Sequence, residues 1–248
     1  MNTFHAEGQK GTWSLVPLFG LQPNRKGTSI QSTALCGGML YVFYHDSILQ
    51  RYHDGKLVSE DVVRGDLYHA NDTELDGPYF IQVDTGRESP SLCRFDRSSN
   101  SVTQRWLLHT PGFRTASCAW SKEGTLLLVL VQAIALDQRT AMTVAEFDFE
   151  KGVVKPLFTL PQHHRFVQGC AVRGDDLFIT SNDGGDSATT RFIDYDLHSG
   201  KVVDDVCFSG FGESEGLYRG EGNQLITGLN LRHGRSAVYR LVAPGEAV

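Results

Sequence analysis

Residues 166–183 read FVQGCAVRGDDLFITSND, two runs of alternating apolar and polar residues on either side of the turn signal GDD. Period-two alternation marks a strand with one buried face, and a glycine turn between two such runs reads as a hairpin. The same grammar recurs as IQSTALCGGMLYVFYHD (30–46), LYHANDTELDGPYFIQVD (67–84) and RTASCAWSKEGTLLLVLVQ (114–132). Aligned on their second strands, the phrases begin at Leu40, Tyr79, Leu126, Leu177 and Leu225, spacings of 39, 47, 51 and 48 residues. That is the repeat length of propeller blades.

A third alternating strand follows each hairpin and carries one aromatic at the same position: Tyr52, Phe95, Phe147, Tyr195 and Tyr239. Fourth strands follow the turns HDG, RSSN, FEKG and HSG, the clearest being VVKPLFTL (153–160). The fifth unit runs out of chain after AVYRLV, but WSLVPLFGL (13–21) shares the PLF-x-L core of that fourth strand. The expectation is an all-β fold in which residues 1–248 form a single five-bladed β-propeller of four-stranded blades. Its N-terminal strand, about 12–21, completes the blade that ends near 241. Closing the ring removes open sheet edges. A β-sandwich uses similar strands and turns, but five ordered units and a segment that fits the missing strand favour the ring.

The 248 residues carry a formal net charge of −6, with 40% hydrophobic and 21% charged residues. Nucleic-acid binding needs a basic stripe, and none is written here. The longest apolar run, TLLLVLVQAIAL (125–136), is broken by Gln132 and too short to span a bilayer. The N-terminus MNTFHAEGQKGTW has no apolar signal-peptide core. Five cysteines form no CxxC pair, and Cys36, Cys118 and Cys170 read as small buried hydrophobes at equivalent places in the phrase. These features predict a cytoplasmic protein with no nucleic-acid or membrane partner and no cofactor.

In a propeller, the starts of the innermost strands and the loops joining second to third strands meet at one face of the central channel. The strand starts supply Gln31, Ser32, His69, Asn71, Arg114, Thr115, Gln168, Glu213 and Glu215. The loops supply Tyr44, His45 and Asp46, then Asp84, Arg87 and Glu88, then Asn182, Asp183 and Asp186, and finally Asn230, Arg232, His233 and Arg235. From these sets the predicted ligand-binding residues are Gln31, His69, Asn71, Arg114, Gln168, Asn182, Glu213, Glu215 and Arg232. His69, Glu213 and Glu215 are the acid/base candidates if the chain is an enzyme. Glu213 and Glu215 stand at i and i+2, on one side of an extended strand. Asp72, Glu74, Asp84 or Asp183 would have to supply the second acid of a glycosidase pair.

Other features point away from chemistry. His163 and His164 are neighbours that an extended strand would turn apart, and no HxH or HExxH occurs, so no metal site is expected. SNDGGDSATT (181–190) lacks the spacing of a calcium loop. Trp106 and Trp120 read as core residues near inner positions. No GxSxG, P-loop or GxGxxG is present.

The segments VQGCAVRGDDLFITSNDGG, FIDYDLHSGKVV, ESEGLYRGEGNQLITG and GRSAVYRL, within 167–241, resemble a propeller family of helveticin J-like and teichoic acid biosynthesis protein C-like sequences. The resemblance implies five blades with Gln168, Glu213, Glu215 and Gly216 facing the central region, and surface recognition more than a defined reaction. Cys170 departs from the bulky apolar residue expected there. The function expected from the residues is the binding of a small molecule or glycan at the channel face. The alternative is a cytosolic small-molecule enzyme, a lyase, cyclase, isomerase or hydrolase, working at the same mouth. A protein partner at the rim is a third option.

Overall fold

Each repeated phrase folds as an antiparallel hairpin, and the turn glycine is what lets the chain reverse. Gly77 and Gly174 hold φ at 57° and 66°, the left-handed region that a Cβ disfavours. The computed structural model describes residues 1–86, 90–132, 140–182, 189–210, 212–231 and 235–247. Arg87, Glu88, Asp183, Asp186, Arg232 and His233, named above from the sequence, lie outside the described residues, as does most of the 181–190 loop.

The chain begins with β1 (Phe4–Gly8) and β2 (Gly11–Leu21). The first blade is β3 (Ile30–Cys36), β4 (Met39–Tyr44), β5 (Ile48–His53) and β6 (Lys56–Val62). The second is β7 (Ala70–Asp76), β8 (Tyr79–Asp84), β9 (Ser91–Asp96) and β10 (Ser101–Leu107). The third is β11 (Phe113–Trp120), β12 (Leu126–Gln132), β13 (Thr140–Asp148) and β14 (Val153–His164). The fourth is β15 (Val167–Arg173), β16 (Asp176–Asn182), β17 (Thr189–Asp196) and β18 (Val202–Ser209). The fifth joins β19 (Gly212–Arg219), β20 (Leu225–Leu231) and β21 (Ser236–Val242) to β2 and β1. The innermost strands touch in sequence, β3 to β7 to β11 to β15 to β19 and back to β3, which closes a five-bladed β-propeller.

The blades hold together through side chains pressed between sheets. All five third-strand aromatics are buried, and Phe43 of blade one packs edge-on against the stacked Phe80 and Phe95 of blade two, with Phe43 and Phe95 centroids 5.4 Å apart. Burying each such ring is worth about 1.5–3 kcal/mol. Trp106 of blade two packs edge-on against Phe147 and Phe149 of blade three, Trp120 stacks on Phe149, and Trp106 sits on the outer strand β10, not near an inner position. Tyr79, aligned with Leu40 by sequence, is one residue out of step. Phe80 pairs with Leu75 and Phe95 as Leu40 pairs with Leu35 and Tyr52.

The N-terminal strand closes the last blade: β2 pairs with β21, Ser14 opposite Val242 and Leu21 opposite Ser236. The chain adds a fifth strand there, β1, paired with β2 from Phe4–Leu15 to Gly8–Gly11. A single carboxylate in blade four grips this hairpin. Asp204 accepts the Gln9 amide at 2.7 Å and the Trp13 Nε1 proton at 2.8 Å. Burial pushes the Asp204 carboxyl up, but Trp13 and the amides of Gln9, Asp205 and Lys10 together hold it below the usual carboxylate value.

Asp194, opposite Asp204 in the β17–β18 ladder, behaves in the other sense. Burial, then Asp176, pushes its carboxyl up to about 7 against the pull of Lys10 and Arg173. An unfolded aspartate titrates near ~3.9. A raised folded value means that the stabilisation from the proton is complete below the unfolded value and is lost as pH rises through about 7. The unfolding midpoint should therefore fall from mildly acid to mildly alkaline pH, and Asp194→Asn should flatten that slope and raise the midpoint on the alkaline side. Thermal unfolding at a series of pH values measures this, and an unchanged slope in the variant would remove Asp194 as its source.

Candidate functional site

Every innermost strand carries a register shift, in blade five slightly farther along the strand than in the other four. It falls between Ile30 and Ser32, Ala70 and Asp72, Thr115 and Ser117, Val167 and Gly169, and Glu215 and Tyr218. A bulge re-aims the side chain at the inserted position. Here it aims Gln31, Asn71, Ala116 and Gln168 into one cavity of about 290 Å³ at the channel mouth, and Glu215, paired with Gly228 just before the shift in its own strand, joins them. The residue two before each, Ser29, His69, Arg114, Phe166 and Glu213, lines the same cavity one step nearer the mouth. His45 and Thr85 reach it from the loops after β4 and β8.

The next residue of each inner strand forms a floor at the axis: Ser32, Asp72, Ser117, Gly169 and Gly216. Four are small, and the space they leave is filled by the Asp72 carboxylate. Its Oδ2 accepts the backbone N–H of Cys170 at 3.0 Å and of Cys118 at 3.3 Å, and its Oδ1 accepts that of Thr73 at 3.0 Å. The Leu217 amide donates to it as well. Burial pushes the Asp72 carboxyl well up, and these donors pull against it. One side chain thus ties blades two, three, four and five together at the axis. Glu74 lies deeper along β7, also pushed up by burial and then by Asp72, with Arg219 and the Trp120 amide opposing.

Seven of the nine predicted ligand-binding residues meet in the cavity, Gln31, His69, Asn71, Arg114, Gln168, Glu213 and Glu215, and His45 from the loop set joins them. Asn182 stands behind it, donating to Glu213 at 3.3 Å and to the Ser214 carbonyl at 3.2 Å. Ser32 and Thr115 do not line it; Ser32 bonds Thr73 across the floor at 2.7 Å. Asp72, Glu74 and Asp84 are not second acids across the pocket, because none of them lines it. Asp84 is fully buried, pairs with Arg105 at 2.9 Å and accepts the His69 amide at 3.0 Å, which fixes the strand entering the site. Cys118 and Cys170 are buried beside the floor, but Cys36 is half-buried at the far end of β3, where Arg97 donates to its sulfur. The position equivalent to Cys118 in blade one is Thr33.

The polar groups have distinct states. Burial, then His45, pushes His69 down to about 4, with Arg114 adding to the effect and Asp84 and Asn71 opposing, so the ring is neutral at pH 7. Burial, then Glu213, pushes Glu215 well up, while Asn230, donating at 3.0 Å, opposes. Glu213 accepts Gln168 Nε2 at 3.1 Å. Burial lowers the Arg114 guanidinium from its ordinary value. Gln31 is 4% exposed and its Oε1 has no partner. Among the described residues no three His, Cys, Asp or Glu side chains gather as a metal centre, and no helix is long and apolar enough to cross a membrane.

No protein-family model matches the chain, and no curated protein sequence matches it either. Solved structures do. A Thermus thermophilus protein described as an oxidoreductase (glucose dehydrogenase) aligns over 87% of this chain and 98% of its own, with a TM-score of 0.51 and 13% identity. A luciferin-regenerating enzyme aligns over 91% and 96%, with a TM-score of 0.46 and 12% identity. The Dos1 propeller aligns over 92% of this chain and 63% of its own, with a TM-score of 0.45 and 11% identity. The likeness is one of fold.

Ser29, Thr85, Ala116 and Phe166 are cavity residues that the sequence reading passed over. Ser29, Ala116 and Phe166 stand two residues from Gln31, Arg114 and Gln168, and Thr85 directly follows Asp84. Phe166 was harder, since its left-handed φ of 43° belongs to a turn.

Proposed function

We propose that the chain binds a small polar molecule in the cavity above Asp72. The observation that carries this is convergence: five bulged strands deliver hydrogen-bonding side chains to one space, and the Gln31 carbonyl oxygen is buried there unpaired. A buried acceptor without a donor costs about 1–3 kcal/mol, which a ligand N–H or O–H would recover. The volume, about 290 Å³, sits at the small end of ligand pockets and suits a monosaccharide-sized molecule instead of an extended glycan. Calorimetric titration with single sugars, sugar acids, amino acids and small hydroxy acids tests it. At least one should bind, and Gln31→Leu should weaken it by about tenfold, the loss of one buried hydrogen bond. No binding by any member would end the proposal.

A second reading, an acid/base enzyme, is favoured by the neutral His69 ring and the raised Glu215 carboxyl facing one cavity. Such a pair holds a base and an acid together at neutral pH. Proton NMR of the same panel in D2O reads it: deuterium uptake or conversion that disappears in Glu215→Gln supports catalysis. Unchanged spectra throughout dismiss it.

A further inference from the structure

Arg114 is the arginine that lines the cavity, and it lacks the carboxylate that several other partly buried arginines hold. Arg51 pairs with Asp61 at 2.6 Å, Arg94 with Asp76 at 2.8 Å, Arg105 with Asp84 at 2.9 Å and Arg191 with Asp205 at 3.2 Å. Arg114 has no acidic partner among the described residues, yet its guanidinium is partly desolvated and lines the cavity. A half-buried cation without a counter-ion is an incomplete pair.

The ring order decides what stands opposite. Arg114 belongs to blade three, whose neighbours are blades two and four, so blades five and one lie across the channel. Blade five brings Glu213 and Glu215, and blade one brings Gln31 with its unpaired Oε1. The two carboxyls face each other closely enough that Glu213, after burial, pushes the Glu215 carboxyl well up. Gln168 and Asn182 fix Glu213, and Asn230 fixes Glu215, so the acidic wall is held by amides and leaves the guanidinium free. The cavity therefore has a positive wall and an acceptor wall, both prepared before any ligand arrives.

We propose that the occupant is a small organic acid with two heads, a single carboxylate seated on Arg114 and a hydroxyl or ammonium directed at Glu213, Glu215 and Gln31. This assignment rests on the cavity being a ligand site. A guanidinium presents parallel N–H groups that match a carboxylate in bidentate fashion. Arg114 is the one Lys or Arg among the described lining residues, which suits a single carboxylate better than a phosphate dianion. The opposite wall accepts hydrogen bonds and repels a second anionic group. Sugar acids, hydroxy acids and amino acids all have this form.

The test uses matched probes on the full chain: glucuronate against glucose, glycerate against glycerol, and serine against ethanolamine, with inorganic phosphate alone as a further arm. In the wild type, at least one acid should bind about 10- to 100-fold more tightly than its partner lacking the carboxylate, the range expected for a charged hydrogen-bonded contact. Arg114→Gln should erase that ratio, and Arg114→Lys should keep part of it. Glu213→Gln should weaken binding of the acid while preserving its advantage over the neutral partner. Arg114 has no acidic partner to lose among the described residues, so both variants should unfold within a few degrees of the wild type. Equal binding of acid and counterpart, or a ratio that survives Arg114→Gln, overturns the anion assignment and leaves the ligand site standing. Phosphate binding as tightly as the acids overturns the two-headed ligand. Failure of every molecule in the wider panel removes the ligand site, and this assignment with it.

Discussion

Asp72→Ala should cost the protein about 4 kcal/mol or more of folding stability, because four backbone N–H groups lose their acceptor and each stranded donor costs about 1–3 kcal/mol. The donors belong to Thr73, Cys118, Cys170 and Leu217, on four blades, so the loss falls on ring closure and not on any one sheet. In a domain of this size about 4 kcal/mol lowers the thermal midpoint by roughly 8–16 °C. Asp72→Asn keeps one carbonyl oxygen but turns an amide N–H₂ toward amide donors, and should lose about half as much. Urea unfolding of the two variants gives the comparison directly. A loss below about 1 kcal/mol in Asp72→Ala would mean that water satisfies those amides equally well.

Gly169→Ala should be at least as damaging. A Cβ there would stand 2.2 Å from the Leu217 nitrogen and 2.5 Å from the Gly216 carbonyl carbon. Both are backbone atoms of the adjacent inner strand, so no side-chain rotation relieves the contact, and blades four and five must separate. Overpacking in a well-packed core costs about 1–3 kcal/mol where side chains can yield, and more where they cannot. The expected outcome is aggregation on expression, or a midpoint at least 10 °C or so below wild type. Gly174→Ala, at a turn with open space around it, provides the control: its φ of 66° is mildly strained but nothing collides. Equal midpoints for the two variants would show that the channel floor is looser than its geometry implies.

The ring was legible because its signals are local. Alternation, turn glycines and one aromatic per third strand repeat within short windows, and the PLF-x-L core of β2 identified the closing strand. The hairpin partner β1 was not legible, since FHAEG is short, carries one large apolar residue, and its hairpin is held by Asp204, almost two hundred residues away. Seven cavity residues were found because each inner strand obeys i, i+2 alternation as far as its bulge. At the bulge the alternation fails, so Ser32 was assigned to the cavity though it belongs to the floor. Asp72 shows the limit most clearly. A carboxylate on an inner strand reads as a pocket acid, and only the assembled ring shows amides of three other blades converging on it. Placing the turns of the five phrases in register would have exposed the series Ser32, Asp72, Ser117, Gly169 and Gly216, small residues around one acid. Cys36 was misplaced by the same omission.

The central claim is that the bulged side chains form a ligand site, and their own amide groups report on it. Side-chain N–H₂ resonances of Gln31, Asn71 and Gln168, assigned through Leu substitutions, should shift on addition of the tightest-binding probe, while that of Gln50, buried between Tyr44 and Tyr52 inside the first blade, should stay fixed. Shifts that spare all three cavity amides and gather elsewhere on the propeller would contradict the account.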